Sequence, residues 1–356
     1  MSAAVTQAVL LVGGEGRRLR PLTDTRPKPM MSLVDRPFVT HQLDHLSRHG
    51  IHDVIFSCGY RPEALELHFG DGSAFGMRLS YVVDPEPLGT AGAVKNAEGL
   101  LTGDRVLVFN GDILTDLDLD ALAAQHVERG SVGTIALTPV EEPWAYGLVR
   151  LHPDRSVEAF LEKPSPEELR PGEPFLINAG TYLLERQVVE RMPAGRKCSI
   201  EREVFPEEAG RGGLYGFPSE CYWRDIGTPA SYRQAHLDVL AGSVRTESPT
   251  GLRYLGPGAQ VADGATVGPL ASLGAGAVLE EGANVERSVI GDGARIGRGA
   301  HVTDAIVGAG ATIGEGSLLS DGVVIGDRAS IGAGNRLRGP LKVATGGTIP
   351  PGTLID

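Results

Sequence analysis

The sequence predicts two domains of different architecture. The first is an α/β domain on a Rossmann-like, mainly parallel sheet, and the second is a parallel β-helix. Three observations carry this. Short apolar strands alternate with amphipathic helices over the first two-thirds of the chain. From Leu255 onward an aliphatic residue recurs every six positions. Glycine, 49 of 356 residues, is unevenly spread, and 24 of them fall between positions 251 and 356.

The α/β elements follow in order. Ala8 to Val12 is a short apolar strand. Pro37 to Gly50 reads as a helix, because Val39, Leu43 and Leu46 share a face between a proline start and a glycine stop. Asp53 to Ser57 is a strand, Pro62 to Phe69 a helix and Leu79 to Val83 a strand. Thr90 to Leu101 is a helix, Arg105 to Phe109 a strand and Leu117 to Arg129 a helix. The next part is richer in strands: Ser131 to Thr138, Gly147 to Leu151, Val157 to Glu162 and Leu176 to Leu184, which extend or cap the sheet. Pro229 to Ala241 is a helix at the domain boundary. The expected division is a catalytic domain over 1–241, a linker over 242–254 and the β-helix over 255–356. Ligands should sit beyond the carboxyl ends of the strands.

In the tail the aliphatic positions are Leu255, Val261, Val267, Leu273, Leu279 and Val285. After a five-residue step come Ile290, Ile296 and Val302. After another come Val307, Ile313, Leu319, Ile325, Ile331, Leu337, Val343 and Ile349. Glycine often follows directly, and alanine often stands four positions on. Period six fits neither a helix nor an alternating strand, and it is the hexapeptide signature of a β-helix. The aliphatic side chains should point into a narrow prism. Its flat faces suit self-association, as a dimer or tetramer. Because every chemical motif precedes residue 230, removing 251–356 is expected to weaken assembly before it removes chemistry.

Composition excludes several classes of function. A net charge of -12 argues against broad nucleic-acid or anionic-membrane binding. No apolar run reaches the length of a membrane span. The N-terminal apolar run lacks a basic leader and reads as a first strand. Cys58, Cys198 and Cys221 are odd in number and far apart, which fits reduced cysteines in a cytoplasmic protein.

The first strand runs into Gly13-Gly14-Glu15-Gly16-Arg17-Arg18-Leu19-Arg20-Pro21-Leu22-Thr23. Glycines after a strand let backbone N–H groups face phosphate oxygens. The loop is neither a P-loop nor a dinucleotide fingerprint, since Leu19 stands where a small residue is required. Its three arginines suit a polyphosphate. Arg26-Pro27-Lys28-Pro29-Met30 holds Lys28 between two prolines, as a fixed point charge for a phosphate. Asp112 ends a strand and Asp225 lies in a β-rich segment, and two carboxylates plus phosphate oxygens suit Mg²⁺. Read singly, each feature has a plainer meaning: a tight turn, a surface lysine, a Gly-Asp turn.

Together they resemble the sugar-1-phosphate nucleotidyltransferases. The later blocks keep that family's order: Pro87-Leu88-Gly89-Thr90-Ala91-Gly92-Ala93, Asn110-Gly111-Asp112, Glu142-Pro143, Tyr146-Gly147, Glu162-Lys163-Pro164, Ile177-Asn178-Ala179-Gly180, Ser199-Ile200-Glu201 and Trp223-Arg224-Asp225-Ile226-Gly227. With the tail, which resembles the left-handed β-helix of many such enzymes, the chain is most similar to guanylyltransferases acting on mannose 1-phosphate. The resemblance implies condensation of GTP with mannose 1-phosphate to a nucleotide-sugar and pyrophosphate. It assigns Arg18 and Lys28 to catalysis, and Gly13, Gly14, Gly16, Gly89 and Thr90 to the nucleotide. Gly147, Glu162, Lys163, Asn178 and Gly180 fall to the sugar phosphate, and Asp112 and Asp225 to Mg²⁺. Thymidylyl-, uridylyl- and adenylyltransferases share the framework, as do glucose and cyclitol phosphates as acceptors. Two readings of other classes stand beside it: a non-catalytic nucleotide-sugar-binding regulatory subunit, and an acyltransferase β-helix. The latter usually needs a histidine and a long loop, and the tail offers only His301.

Overall fold

The computed structural model describes residues 5–355 apart from Tyr60, Lys163, Arg170, Pro171 and Glu173. The chain divides into two compact units. One comprises Met1–Gly14 with Gln42–Trp223, and the other Glu15–His41 with Arg224–Asp356.

The first unit is built on a nine-stranded sheet. Its order is Val157–Glu162, Gly147–Leu151, Phe175–Glu185, Arg105–Asn110, Gln7–Leu11, Asp53–Cys58 and Arg78–Val83. Gly133–Val140 lies along Phe175–Glu185, and Leu214–Pro218 lies beyond it. The last four strands of the main path are mutually parallel. Ala8, Val9, Leu10, Val54, Ile55, Phe56 and Val108 are fully buried there, which is why these strands read as continuous apolar runs rather than alternating ones. The strand-rich part joins this sheet as expected, but antiparallel. The sheet is therefore mixed. Loop length enforces the antiparallel pairing where consecutive strands lie side by side: the turn over 152–156 joins Gly147–Leu151 to Val157–Glu162 and is too short for the crossover that a parallel pair requires.

Helices fall at Phe38–Arg48, Glu63–Phe69, Gly89–Asn96, Leu119–Glu128 and Pro229–Leu240. The third is shorter than its apolar pattern implies and gives way to a 3₁₀ turn over Glu98–Leu100, around the helix-breaking Gly99. The fourth starts two residues late because Asp118 caps it, its Oδ1 accepting the Ala121 N–H at 2.9 Å. Elements the sequence did not announce are the Ser32–Leu33/Arg36–Pro37 hairpin, the Leu214–Pro218 strand, and the Arg186–Arg191 and Phe205–Gly210 helices. All are short, and period is a weak signal over so few residues.

In the second unit the hexapeptides form three six-stranded, all-parallel sheets, the faces of a β-helix of the left-handed hexapeptide kind. Register stacks the predicted aliphatics directly on one another: Leu273 on Ile290, then Val307, Ile325 and Val343. Fourteen successive positions from Val267 to Val343 are buried to 8% or less. Leu255 and Val261, expected inside, are 43% and 39% exposed. They sit in the first coil, where no preceding coil covers them. Glycines that follow an aliphatic are needed for coil-to-coil approach: a Cβ on Gly291 would lie 2.6 Å from Ala309 N of the next coil. Gly276, at a corner, instead takes a left-handed φ of 64°.

One face of this β-helix differs from the others. Its outward residues Val289, Ile306 and Val324 are buried against Leu19, Leu22, Met31 and Tyr232. The glycine-loop segment and the Pro229–Leu240 helix thus cover a face that the sequence left open for self-association. The segment expected as a linker is itself held in this unit, its Glu247 and Ser248 bonding Arg36 and Asp35. Val244 is buried, and the Gly251 N–H donates to Leu240 O at 2.7 Å.

The three cysteines are free thiols, and burial pushes that of Cys58 up to about 12. Among the described residues no helix is long and apolar enough to cross a membrane.

Candidate functional site

In the first unit the Gln7–Leu11 strand has Asp53–Cys58 on one side and Arg105–Asn110 on the other. Strand order reverses at this point, which opens a crevice beyond the carboxyl ends. Gly13 and Gly14 follow one strand there, and Asp112 follows its neighbour. The chain is tight at the rim. A Cβ on Gly111 would lie 2.5 Å from Leu11 O, and one on Gly59 would lie 2.8 Å from Gly13 O. A Cβ on Gly14 would meet nothing within 4 Å, so its backbone faces open space. Asp112 is half-buried.

The residues assigned to the sugar reach the same rim from the antiparallel half. Thr181 pairs with Phe109, which sets Gly180 beside Asn110. Gly180 has a φ of 74°, and a Cβ on it would press into the Asn110 amide. Its N–H donates to Asn178 Oδ1 at 2.9 Å. Gly147 pairs with Glu162, and Leu148 with Ile177, so Gly147, Glu162 and Asn178 share one end of three neighbouring strands. Lys163 and the side chain of Glu162 lie outside the described residues.

A buried network ties this end to the segment assigned to the base. Asn178 Nδ2 donates to the Tyr182 hydroxyl at 2.8 Å, and that hydroxyl donates to Glu201 Oε1 at 3.3 Å. Glu201 Oε2 accepts from Thr90 Oγ1 at 2.9 Å and from Ser199 Oγ at 2.7 Å. Burial, and then the Glu201 carboxylate, hold the Tyr182 phenol well above its ordinary range, so it stays a donor. Gly89 has a φ of 71°, and a Cβ on it would lie 2.6 Å from Cys198 O. The same carbonyl accepts from the Ala91 N–H at 3.0 Å, capping the Gly89–Asn96 helix. In the sequence Glu201 stands out only as part of the Ser199-Ile200-Glu201 block. Its role in joining two loops depends on contacts across more than a hundred residues.

In the second unit Gly16 takes a φ of 64° and opens a 3₁₀ turn over Arg17–Leu19. Thr23 Oγ1 donates to Gly16 O at 2.9 Å. A Cβ on Gly16 would lie 3.0 Å from the Thr23 methyl and 3.3 Å from Lys28 Cβ. The three loop arginines have separate fates. Arg17 pairs with Glu15 at 2.6 Å, Arg20 lies 3.7 Å from Asp24, and Arg18 lies 3.6 Å from Asp225. Lys28 is buried, with Nζ 3.8 Å from the other Asp225 oxygen. Two cations and one carboxylate therefore converge, from segments about 200 residues apart. Gly227 makes room for them, since a Cβ there would overlap the Arg18 guanidinium and lie 2.8 Å from Asp225 Oδ1.

The donor chemistry fits a hard divalent cation. Asp112 and Asp225 offer carboxylate oxygens and no soft ligand. Among the described residues, the group of three metal-type side chains with ligand atoms close together is His49, Asp118 and Asp120, which contains neither aspartate.

The profile of the nucleotidyl transferase family matches residues 7–242, and that of the GMPPB C-terminal domain matches 250–341. A mannose-1-phosphate guanylyltransferase of Mycobacterium tuberculosis is 41% identical over 291 residues, 80% of this chain and 78% of that protein. The mannose-1-phosphate guanylyltransferase catalytic subunit beta of Drosophila melanogaster is 35% identical over 274 residues, 76% of this chain and 72% of that one. The crystal structure of HddC from Yersinia pseudotuberculosis complexed with GMP-PN is 27% identical, with a TM-score of 0.56, covering 65% of this chain and 98% of that one.

Proposed function

The chain belongs to the nucleotidyl transferase family, and we propose that it transfers GMP from GTP to mannose 1-phosphate, releasing pyrophosphate. The observation that carries this reading is the convergence of Arg18 and Lys28 on Asp225. It puts two positive charges on the loop that follows the first strand, where a triphosphate needs them. The relatives named mannose-1-phosphate guanylyltransferase support the choice of base and sugar.

In this reading residues 1–241 are the catalytic domain, 242–254 a connecting segment and 255–356 a supporting β-helix. Backbone N–H groups of Gly13, Gly14 and Gly16 face the phosphates, and Gly89 and Thr90 border the base. Gly147, Glu162, Lys163, Asn178 and Gly180 hold the sugar phosphate. An oxygen of that phosphate attacks the α-phosphorus in line, and the bond to the pyrophosphate oxygen breaks. The nucleophile is already an anion, so no general base is required. Arg18 and Lys28 neutralise charge on the leaving pyrophosphate, and catalysis rests on positioning and charge. Members of the family use a divalent cation. We assign it as Mg²⁺, held by Asp112 and Asp225, where it supplies Lewis-acid neutralisation of phosphate oxygens. Free thiols and a nucleotide substrate fit a cytoplasmic enzyme, and the exposed β-helix faces fit a homo-oligomer.

The test is a matrix of nucleoside triphosphates against sugar 1-phosphates, read by pyrophosphate release. GTP with mannose 1-phosphate should give the highest kcat/KM. Tenfold preference for dTTP, UTP or ATP would overturn the base assignment and leave the reaction class standing.

A further inference from the structure

The triphosphate loop is fastened to the β-helix by polar contacts as well as by the apolar face beneath it. Asp327 lies between two strands of the β-helix and is 5% exposed. One of its oxygens accepts the Ala309 N–H at 2.8 Å. The other accepts from Thr25 Oγ1 and from Arg26 Nη2, the latter at 3.2 Å. Lys342 Nζ donates to Arg18 O at 3.2 Å. Thr345 Oγ1 donates to Pro21 O at 3.3 Å. Below these contacts Leu19, Leu22 and Met31 pack on Val289, Ile306 and Val324.

Thr25 and Arg26 immediately precede Pro27-Lys28-Pro29. Proline fixes its own φ and restricts the residue before it. A position imposed on Arg26 is therefore passed along a stiff segment to Lys28. We propose that Asp327 is a positioning residue for triphosphate binding: it anchors Thr25 and Arg26 and thereby sets the Lys28 ammonium beside Asp225. This rests on the reading that Arg18 and Lys28 receive the triphosphate. It makes the β-helix part of the nucleotide site. Removing residues 251–356 would then remove the support of the phosphate loop and, with it, the chemistry, against the expectation from motif positions alone.

The test compares full-length Asp327→Asn with Asp321→Asn. The first keeps an acceptor for Ala309 and weakens the ionic hold on Arg26. The second breaks an exposed β-helix pair with Arg338 that does not touch the loop. In Asp327→Asn, amide hydrogen exchange across residues 18–31 should accelerate. The KM for GTP and its calorimetric Kd should rise about tenfold, the scale of one charge-assisted contact. The KM for mannose 1-phosphate and the melting temperature should stay near wild type. Asp321→Asn should change none of these, and Asp327→Glu should recover part of the GTP affinity. Unchanged exchange in Asp327→Asn overturns the proposal whatever the enzyme does. So does accelerated exchange with unchanged GTP affinity, or an equal loss for both substrates. A wild-type protein that turns over no substrate pair defeats the proposed reaction instead, and GTP calorimetry then still decides the role of Asp327.

Discussion

Replacing Gly227 with alanine isolates the geometry of Arg18 from the stability of the protein. Gly227 does not have a left-handed φ, so alanine costs nothing in backbone strain. The cost is local: the new methyl overlaps Arg18 Nη2 and lies 2.8 Å from Asp225 Oδ1. Restoring ordinary contact at ~3.5 Å requires the guanidinium to retreat by roughly 1 Å. Its side chain is 68% exposed, so it can swing toward solvent with little penalty to folding. The charge near Asp225 is then misplaced, and a displacement of ~1 Å can cost ~10²-fold in turnover. The expected outcome is a protein that melts within a few degrees of wild type and releases pyrophosphate about a hundredfold more slowly. In an Arg18→Ala background the same change should cost less, because the guanidinium it displaces is already gone and only the contact with Asp225 Oδ1 remains. Near-normal turnover of Gly227→Ala would refute the argument. So would equal losses in both backgrounds, which would mean that the methyl acts on something other than Arg18.

Two further expectations concern the cation and pH. Asp112→Ala and Asp225→Ala should each cut turnover by ~10²-fold or more, and, if the two hold one ion as proposed, the double variant should be little worse; losses that multiply in pyrophosphate-release assays would separate the two aspartates. His236 is buried, with Val34 N–H donating to Nδ1 at 3.3 Å and Nε2 3.1 Å from Ser32 O, and burial lowers its pKa from 6.5 to about 3. Between those values the unfolded state binds the extra proton, so the stabilisation is complete above pH ~6.5 and is lost as pH falls toward 3. Thermal melts at several pH values should show that slope, and His236→Asn should flatten it.

Each level of structure was legible to a different degree, for physical reasons. Period six determined the β-helix, because only a stacked coil asks for one inward side chain every sixth residue. It also determined which residues point inward, from Val267 to Val343, since coil stacking leaves no other register. The alternating strands and helices determined the crevice, because a glycine loop after a first parallel strand lies at the switch point of such a sheet. The motif blocks named Arg18, Lys28, Asp225 and the rim residues of the antiparallel strands. The sequence did not reveal which partners these residues keep. Glu201 joins Thr90 to Tyr182 only because the turn over Ile200–Val204 meets both the Gly89–Asn96 helix and the Phe175–Glu185 strand. Gly227 matters only because Arg18 passes over it. Val289, Ile306 and Val324 form an apolar outer face beside the inward Ile290, Val307 and Ile325, which the six-residue period does not single out. What covers that face is a question of long-range packing, in which local pattern has no voice. Tertiary structure decided that it is covered by residues 15–41, and so put the phosphate loop and the β-helix into one compact unit.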